Sequence, residues 1–590
     1  MNKARRKSNR RASANRLVSE SLLLSTVRNA SSRAVRFFQA GKASRFLTSV
    51  KKTDSLAERR IVNPLLKRAE LHKNSTLHYR NRFASFCSKN KFFKSLSSIR
   101  ISLLNSTARS VGIFLLTFGI YAMAVILLKR YVDLPLDATA DDLIVSALAT
   151  VAGVFLAVFG DKSNIEILGG GKILGSLFSG VLGVNDSSLE KIPSKQPKTG
   201  VSIGFLLGSV CGALTVFSSP LGIMLILLCV AMLAAIMCIP EFGLLLTVAV
   251  FAALPIKWVS LIAFVTLFSY VIKCLRLKRN FTLGTSDFLM LVLLLLTPFF
   301  GVGVQGVSAK GGGYLMCGMA LYFVARNLIC TKKLLLQAFN ALCVGSFCGM
   351  VLYIVGEFSS LIPHSEISAA CGFVSRNALN ADMLAVIVAI CLPFALSSFS
   401  CFGTQNRNLL YLVVAIVCAA VSGSLAFCLL IAVSACVFAA TAYKAPVGAL
   451  ISAALVIILM MAYGTLFDYS RVVTPFAKLG FDKTLGLSWD FAASSFWGGF
   501  NSLNGIVCTV LAAAVVILSL QRIFAATVLK HSEKNTLLCG TVASGAVMSL
   551  VSMSCFNLLA DMRTLAILWF VFGLSGAAYT VLFKNDVEEV

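Results

Sequence analysis

Apolar runs of about 20 residues recur along this chain, and each is long enough to cross the hydrocarbon core of a bilayer as a helix. Sixteen can be placed over the 590 residues: 111–128, 143–160, 201–219, 221–239, 242–256, 258–274, 285–304, 313–330, 334–356, 381–400, 408–423, 425–442, 446–467, 503–520, 536–557 and 564–583. In lipid every backbone N–H and C=O must be satisfied within the protein, which leaves helices or closed barrels. These runs are too long and too uniformly apolar for barrel strands, which alternate. The expected fold class is therefore all-α, a polytopic transmembrane helical bundle of about 14–16 spans with a basic N-terminal cytoplasmic arm. Composition agrees: 57% of residues are hydrophobic and 13% charged, against about 25% charged in an ordinary soluble domain.

The charge is unevenly placed. The net charge is +28, and residues 1–110 hold 26 of the 53 Lys and Arg but only 4 of the 25 Asp and Glu. The cluster Arg5, Arg6, Lys7, Arg10 and Arg11 is not followed by an apolar stretch of the kind a cleavable signal requires. Two readings of this arm stay open. In one, 17–38 and 83–104 form amphipathic helices on anionic membrane lipid. In the other, the arm is solvated and without regular structure. Its Arg- and Ser-rich composition also imitates an organelle transit peptide. No nucleic-acid recognition module is recognisable, so no nucleic-acid partner is expected. The chain divides into the arm (1–110), two extra N-terminal spans with a cytoplasmic loop (111–200), and the main membrane domain (201–590).

So many cations ahead of the first span hold the arm on the cytoplasmic side. Alternation from there puts Lys191, Lys195, Lys198, Lys273, Arg276, Lys278, Arg279, Arg326, Lys332, Lys333, Arg407, Lys444, Arg522, Lys530 and Lys534 in inner loops. Lys129 and Arg130 form the one sizeable exception. Both termini are expected in the cytoplasm. The 18 cysteines are scattered through apolar stretches with no C-x-x-C pair and no histidine cluster beside them. They read as small packing residues, and neither a metal site nor a cofactor is expected. Gly311–Gly313 after Lys310 imitates a phosphate loop but has the wrong spacing.

Two segments expected outside, 357–380 and 468–502, are longer than a turn needs, and long connections are usually functional. They hold most of the outer ionisable groups of the C-terminal half.

Over residues 200–583 the chain resembles the O-antigen ligase/polymerase family. The resemblance is carried by PEFGLLLTVAVFAALP (240–255) with SYVIKCLRLKR (269–279) and TSDFLMLVLLLL (285–296), by ALYFVARNLICTKK (320–333), and by GFVSRNALNADMLAVIVAICLPFAL (372–396). A large outer loop followed by three closing spans completes it. It implies transfer of an undecaprenyl-pyrophosphate-linked glycan donor to a glycan or lipid acceptor at the outer face of a bacterial cytoplasmic membrane. Arg376 and Arg471 would then hold the pyrophosphate, since a guanidinium fork suits phosphate oxygens. His364, Glu366 and Asp382 are the candidate catalytic groups, with Glu357 a weaker base. Asn377, Asn380 and Trp489 are candidate glycan contacts, the asparagines alternatively helix caps. Trp497, Phe496 and Phe500 stack on sugar or form an interfacial belt.

The chain departs from the family pattern in three places. Leu425, in VSGSLAF (421–427), stands where the family has arginine; 468–502 contains no histidine; and Asp382 replaces an asparagine. A multispan transporter of an anionic small solute or lipid is therefore the alternative expectation.

Overall fold

The computed structural model describes residues 106–131, 140–159, 200–275, 284–303, 309–360, 379–402, 405–422, 424–442, 495–528, 533–556 and 558–584, with a few isolated positions between 82 and 182. Among them the regular structure is helical, with no β-strand. Fifteen α-helices are described: α1 (Ala108–Tyr131), α2 (Ala140–Phe159), α3 (Gly200–Ala213), α4 (Pro220–Cys238), α5 (Pro240–Val250), α6 (Ile256–Leu275), α7 (Thr285–Gly303), α8 (Ala309–Leu328), α9 (Lys332–Ser360), α10 (Ala381–Phe402), α11 (Gln405–Ser422), α12 (Leu425–Ala442), α13 (Phe496–Val528), α14 (Glu533–Cys555) and α15 (Met562–Tyr579). Seven of them, α1, α4, α6, α9, α13, α14 and α15, are long and apolar enough to cross a membrane. Others, among them α5, carry shorter apolar stretches of 10–17 residues. The run expected at 242–256 is helical only as far as Val250. The run at 446–467 lies outside the described residues, as does the arm apart from isolated positions.

The described residues fall into two compact units, 75–246 with 265–279, and 247–264 with 280–590. In the smaller one, α1 packs between α2 and α3 through glycines. A Cβ built on Gly153 of α2 would lie 2.7 Å from Leu116 Cα and 2.9 Å from the Gly112 carbonyl oxygen. Gly204, Gly208 and Gly212 repeat every four residues along α3 and meet Ser110, Thr117 and Tyr121 of α1. Small residues let helix backbones approach where lipid supplies no hydrophobic drive between helices. Ser and Thr hydroxyls bond back into their own helices, as Thr117 and Thr150 do to the Ile113 and Ser146 carbonyls at 2.9 and 2.8 Å. Opposite faces show Val151, Phe155, Leu206 and Ile226, each more than half exposed, as a lipid-facing surface would. Helix α4 starts where Ser219 caps the Gly222 N–H at 3.1 Å and Pro220 takes the first turn.

Lys129, the exception to the charge pattern, is buried at the end of α1. Its ammonium donates to the Thr215 carbonyl, 2.7 Å away in the turn that closes α3. There it satisfies a helix-terminal carbonyl and complements the helix dipole. Lys129→Met is expected to cost about 1–3 kcal/mol through the carbonyl left unsatisfied, read as a lower unfolding midpoint of the purified protein in detergent.

In the larger unit α15 is the central helix. Every residue from Thr564 to Ala578 is buried, which is the position of a helix apolar on all sides. Helix α8 runs parallel to it, with Gly318 on Ala566, Gly573 on Tyr322 and Gly576 on Arg326. Antiparallel pairs surround them: α9 with α10 through Phe339 and Phe394, ring centres 4.9 Å apart, and α12 with α14 through Thr441 and Ser544, 3.0 Å apart. Thr441 near the end of α12 meets the first half of α14, while Trp497 at the start of α13 reaches Ser554 at the other end of α14. Ala442 and Phe496 therefore lie at opposite ends of this unit.

Helix α13 begins inside the segment expected to be loop as far as 502. Phe496 and Phe500 are fully buried and stacked at 5.1 Å, with the Trp497 ring edge-on to Phe496. Their burial supplies the reason the helix extends, and it makes Phe496 and Phe500 packing residues rather than an open sugar platform. Gly505 interrupts α13 at φ 77°, a backbone conformation open to glycine and strained for most residues.

Candidate functional site

The larger unit gathers charge at both ends. At one end stands a buried cluster built from four helices. Ser286 and Asp287 lie in the first turn of α7, and both are fully buried. Tyr322 and Arg326 lie one turn apart near the end of α8, Arg522 near the end of α13, and Gly576 in α15.

The hydrogen-bond order follows from counting protons. Tyr322 donates its single hydroxyl proton to Asp287 Oδ1 at 2.9 Å. In its 2.8 Å contact with Tyr322, Ser286 is then the donor. Ser286 Oγ in turn accepts from Arg522 Nη1 at 2.7 Å. Asp287 Oδ2 accepts from the Gly284 N–H at 2.7 Å and from Arg326 Nε at 2.6 Å. Both carboxylate oxygens are thus engaged, and charge-assisted bonds of this length are the strong kind. Arg326 Nη1 is the exception: it is buried and has no partner.

At the opposite end, Asp382 sits in the first turn of α10 and is exposed, where a carboxylate complements the helix dipole. Asn380 immediately precedes that helix, and its carbonyl accepts the Leu384 N–H at 2.9 Å, which places it at the cap position. Across from them, near the end of α9, Tyr353 hydrogen-bonds Glu357 and feels the charge of Asp382. Tyr353 is thus tied to Glu357 of its own helix by a hydrogen bond and to Asp382 of α10 through its charge alone.

Of the residues singled out from sequence, Asn380 and Asp382 are brought to this end together with Glu357. His364, Glu366, Arg376, Asn377, Arg471 and Trp489 lie outside the described residues, and so does the side chain of Leu425. Sequence reasoning missed the first cluster because Arg326 and Arg522 read as inner-loop cations. They stand inside helices and are 9% and 4% exposed. The available signal was Asp287, an acid at the head of an apolar run, since an ionisable residue within a span marks function or pairing. A third polar anomaly sits at the break in α13, where the buried Asn504 amide has no partner for either its oxygen or its nitrogen.

Among the described residues no three His, Cys, Asp or Glu side chains gather as metal ligands would, and the described cysteines are free thiols. No protein family, curated protein or solved structure matches this chain.

Proposed function

We propose that this chain is a glycosyltransferase-like membrane protein that polymerises or ligates undecaprenyl-pyrophosphate-linked glycan at the outer face of a bacterial cytoplasmic membrane. The observation that carries this reading is the hydrogen bond between Tyr353 and Glu357 near the end of α9, within reach of the Asp382 charge in the first turn of α10. These groups flank the segment 358–380, which holds His364, Glu366, Arg376 and Asn377. A glycosyl acceptor hydroxyl needs a general base within hydrogen-bond reach, and a carboxylate can serve in that role. Arg376 and Arg471 would hold the departing pyrophosphate, with Asn377, Asn380 and Trp489 against the glycan.

Charge supports the sidedness. The cluster end of the larger unit carries Arg326, Lys332, Lys333 and Arg522, whereas the Glu357 end carries Asp382 and the Asp561–Arg563 pair. On the positive-inside rule the first end faces the cytoplasm and the carboxylates face out. The odd number of crossings that this needs between Ala442 and Phe496 agrees with the apolar run read from the sequence at 446–467.

The test is a transfer assay with the full chain in nanodiscs and extracted lipid-linked glycan. Glu357→Gln and Asp382→Asn are each expected to lower turnover by about 10²–10⁴-fold, the range for a lost general base, and Arg376→Ala and Arg471→Ala to abolish transfer. Unchanged turnover in all four, with normal insertion, would remove this site.

A transporter of an anionic small solute or lipid is the second reading, and a separate observation favours it. Transporters build sites from discontinuous helices with polar groups at the break, and α13 has such a break at Gly505 beside the unpartnered Asn504 amide. Solute uptake into proteoliposomes without glycan transfer would bring this reading forward.

A further inference from the structure

Glu357 lies near the end of α9 and is exposed, whereas Tyr353, one turn earlier on the same helix, is buried. Side chains on a helix lean toward its N-terminus, so the Glu357 carboxylate comes back over the turn that carries Tyr353. There the two side chains hydrogen-bond. An ionised carboxylate has no proton to give, so the tyrosine hydroxyl is the donor.

That donor is fixed by packing. Tyr353 is 6% exposed, and two neighbouring helices reach it. Asp382 of α10 and Cys418 of α11 both lie within electrostatic reach of its hydroxyl. The Cys418 thiol also donates to the Met350 carbonyl at 3.6 Å, which seats α11 on the preceding turn of α9. A packed ring holds its hydroxyl in one place, whereas an exposed glutamate is free to sample rotamers. The hydrogen bond therefore passes the order of the core to a carboxylate at the surface.

We infer that Tyr353 is a positioning residue, whose hydroxyl holds the Glu357 carboxylate in the orientation from which it takes the acceptor proton. This rests on the glycan-transfer reading above, with Glu357 as the general base. In that step the acceptor O–H bond breaks as its oxygen bonds to the anomeric carbon of the donor. The proton goes to Glu357, and the bond from that carbon to the pyrophosphate breaks with its electron pair leaving on the pyrophosphate. Tyr353 keeps its own proton and occupies one carboxylate oxygen, which leaves the other for the acceptor. Orientation matters at this scale, because a misplacement of about 1 Å can cost about 10²-fold in rate.

The test measures initial rates of the full chain in nanodiscs at varied extracted undecaprenyl-pyrophosphate-linked glycan. Wild type, Tyr353→Phe, Glu357→Gln and the double variant are compared. Phenylalanine keeps the buried ring, and the carboxylate it releases is open to solvent, so Tyr353→Phe is expected to unfold near the wild-type temperature. Its kcat is expected to fall by about 10–100-fold, the scale of one hydrogen bond to a charged group, with KM little changed. In the Glu357→Gln background the same substitution is expected to have no further effect, because the group it orients is gone. Should Tyr353→Phe fail to fold, Glu357→Asp draws the carboxylate back from the hydroxyl and is expected to lower kcat to a similar extent. Where the wild type transfers glycan and Glu357→Gln impairs it, three results overturn this inference alone. They are an unchanged kcat in Tyr353→Phe, an equal fall in the Glu357→Gln background, and an unchanged kcat in Glu357→Asp where that variant is used. No transfer by the wild type overturns the glycan-transfer reading and this inference together, and full turnover in Glu357→Gln removes the base that Tyr353 would orient.

Discussion

Asp287→Ala is expected to destabilise the protein by about 3–5 kcal/mol, the range for removing one partner of a buried ion pair. Three separate donors depend on that carboxylate: Arg326 Nε, the Gly284 N–H and the Tyr322 hydroxyl. Alanine strands the Arg326 guanidinium in a site 9% exposed and leaves the Tyr322 hydroxyl without its acceptor. Asp287→Asn keeps an acceptor oxygen and the volume but not the charge, so its loss should be clearly smaller than that of alanine. The informative variant is the double substitution Asp287→Leu with Arg326→Met. Apolar replacement of a whole buried pair is often neutral, so the double variant should lose less than the sum of its singles. The coupling should fall within the 0.5–3 kcal/mol seen for residues in one network. Unfolding midpoints in a single detergent, followed by far-ultraviolet circular dichroism, give all four corners of the cycle. Strict additivity would mean that the pair is not the source of the effect.

Which parts of this fold are legible in the sequence depends on the range of the signal. Fifteen of the sixteen apolar runs overlap described helices, seven of them long and apolar enough to cross a membrane, because an apolar run is written in consecutive residues and needs no partner to be recognised. Their boundaries are less legible. Nothing local says that Phe496 and Phe500 will be buried against each other and carry α13 back into the expected loop, or that α5 will stop at Val250. The polar clusters are least legible of all. Counting Arg326 and Arg522 as loop cations follows from their place at the ends of apolar runs. Their true settings depend on Asp287, 39 positions from Arg326, and on Ser286, 236 positions from Arg522. Asp382 could be picked out as an acid beside an apolar run. Glu357 stands near the end of a different helix, and only the packing of α9 against α10 puts its partner Tyr353 within reach of the Asp382 charge.

The helix contacts of the smaller unit rest on an absence of side chains, and that makes Gly153→Leu the second change of large expected effect. Gly153 and Gly112 face each other across α1 and α2 so closely that even a Cβ at either position would meet main chain. At Gly112 the nearest atoms are the Ala157 nitrogen, the Leu156 carbonyl carbon at 2.6 Å and the Gly153 oxygen at 2.9 Å. A side chain in the way can turn to another rotamer, but backbone yields only if the whole helix moves. Overpacking in a close-packed interior costs about 1–3 kcal/mol, occasionally more, and a leucine at this contact belongs at the upper limit or above it. Separating α1 from α2 would also disturb α3, whose glycines seat on another face of α1 at Ser110, Thr117 and Tyr121. Gly313 of α8 is the matched control, since a Cβ there meets nothing within 4 Å. Gly313→Ala should change stability by no more than about 1 kcal/mol, the scale of helix propensity alone. Equal losses at Gly153 and Gly313 would argue that glycine matters here for backbone conformation. A large loss at Gly153 alone would assign it to close approach of the two helices, which is the role that small residues take where no water is present to drive helices together.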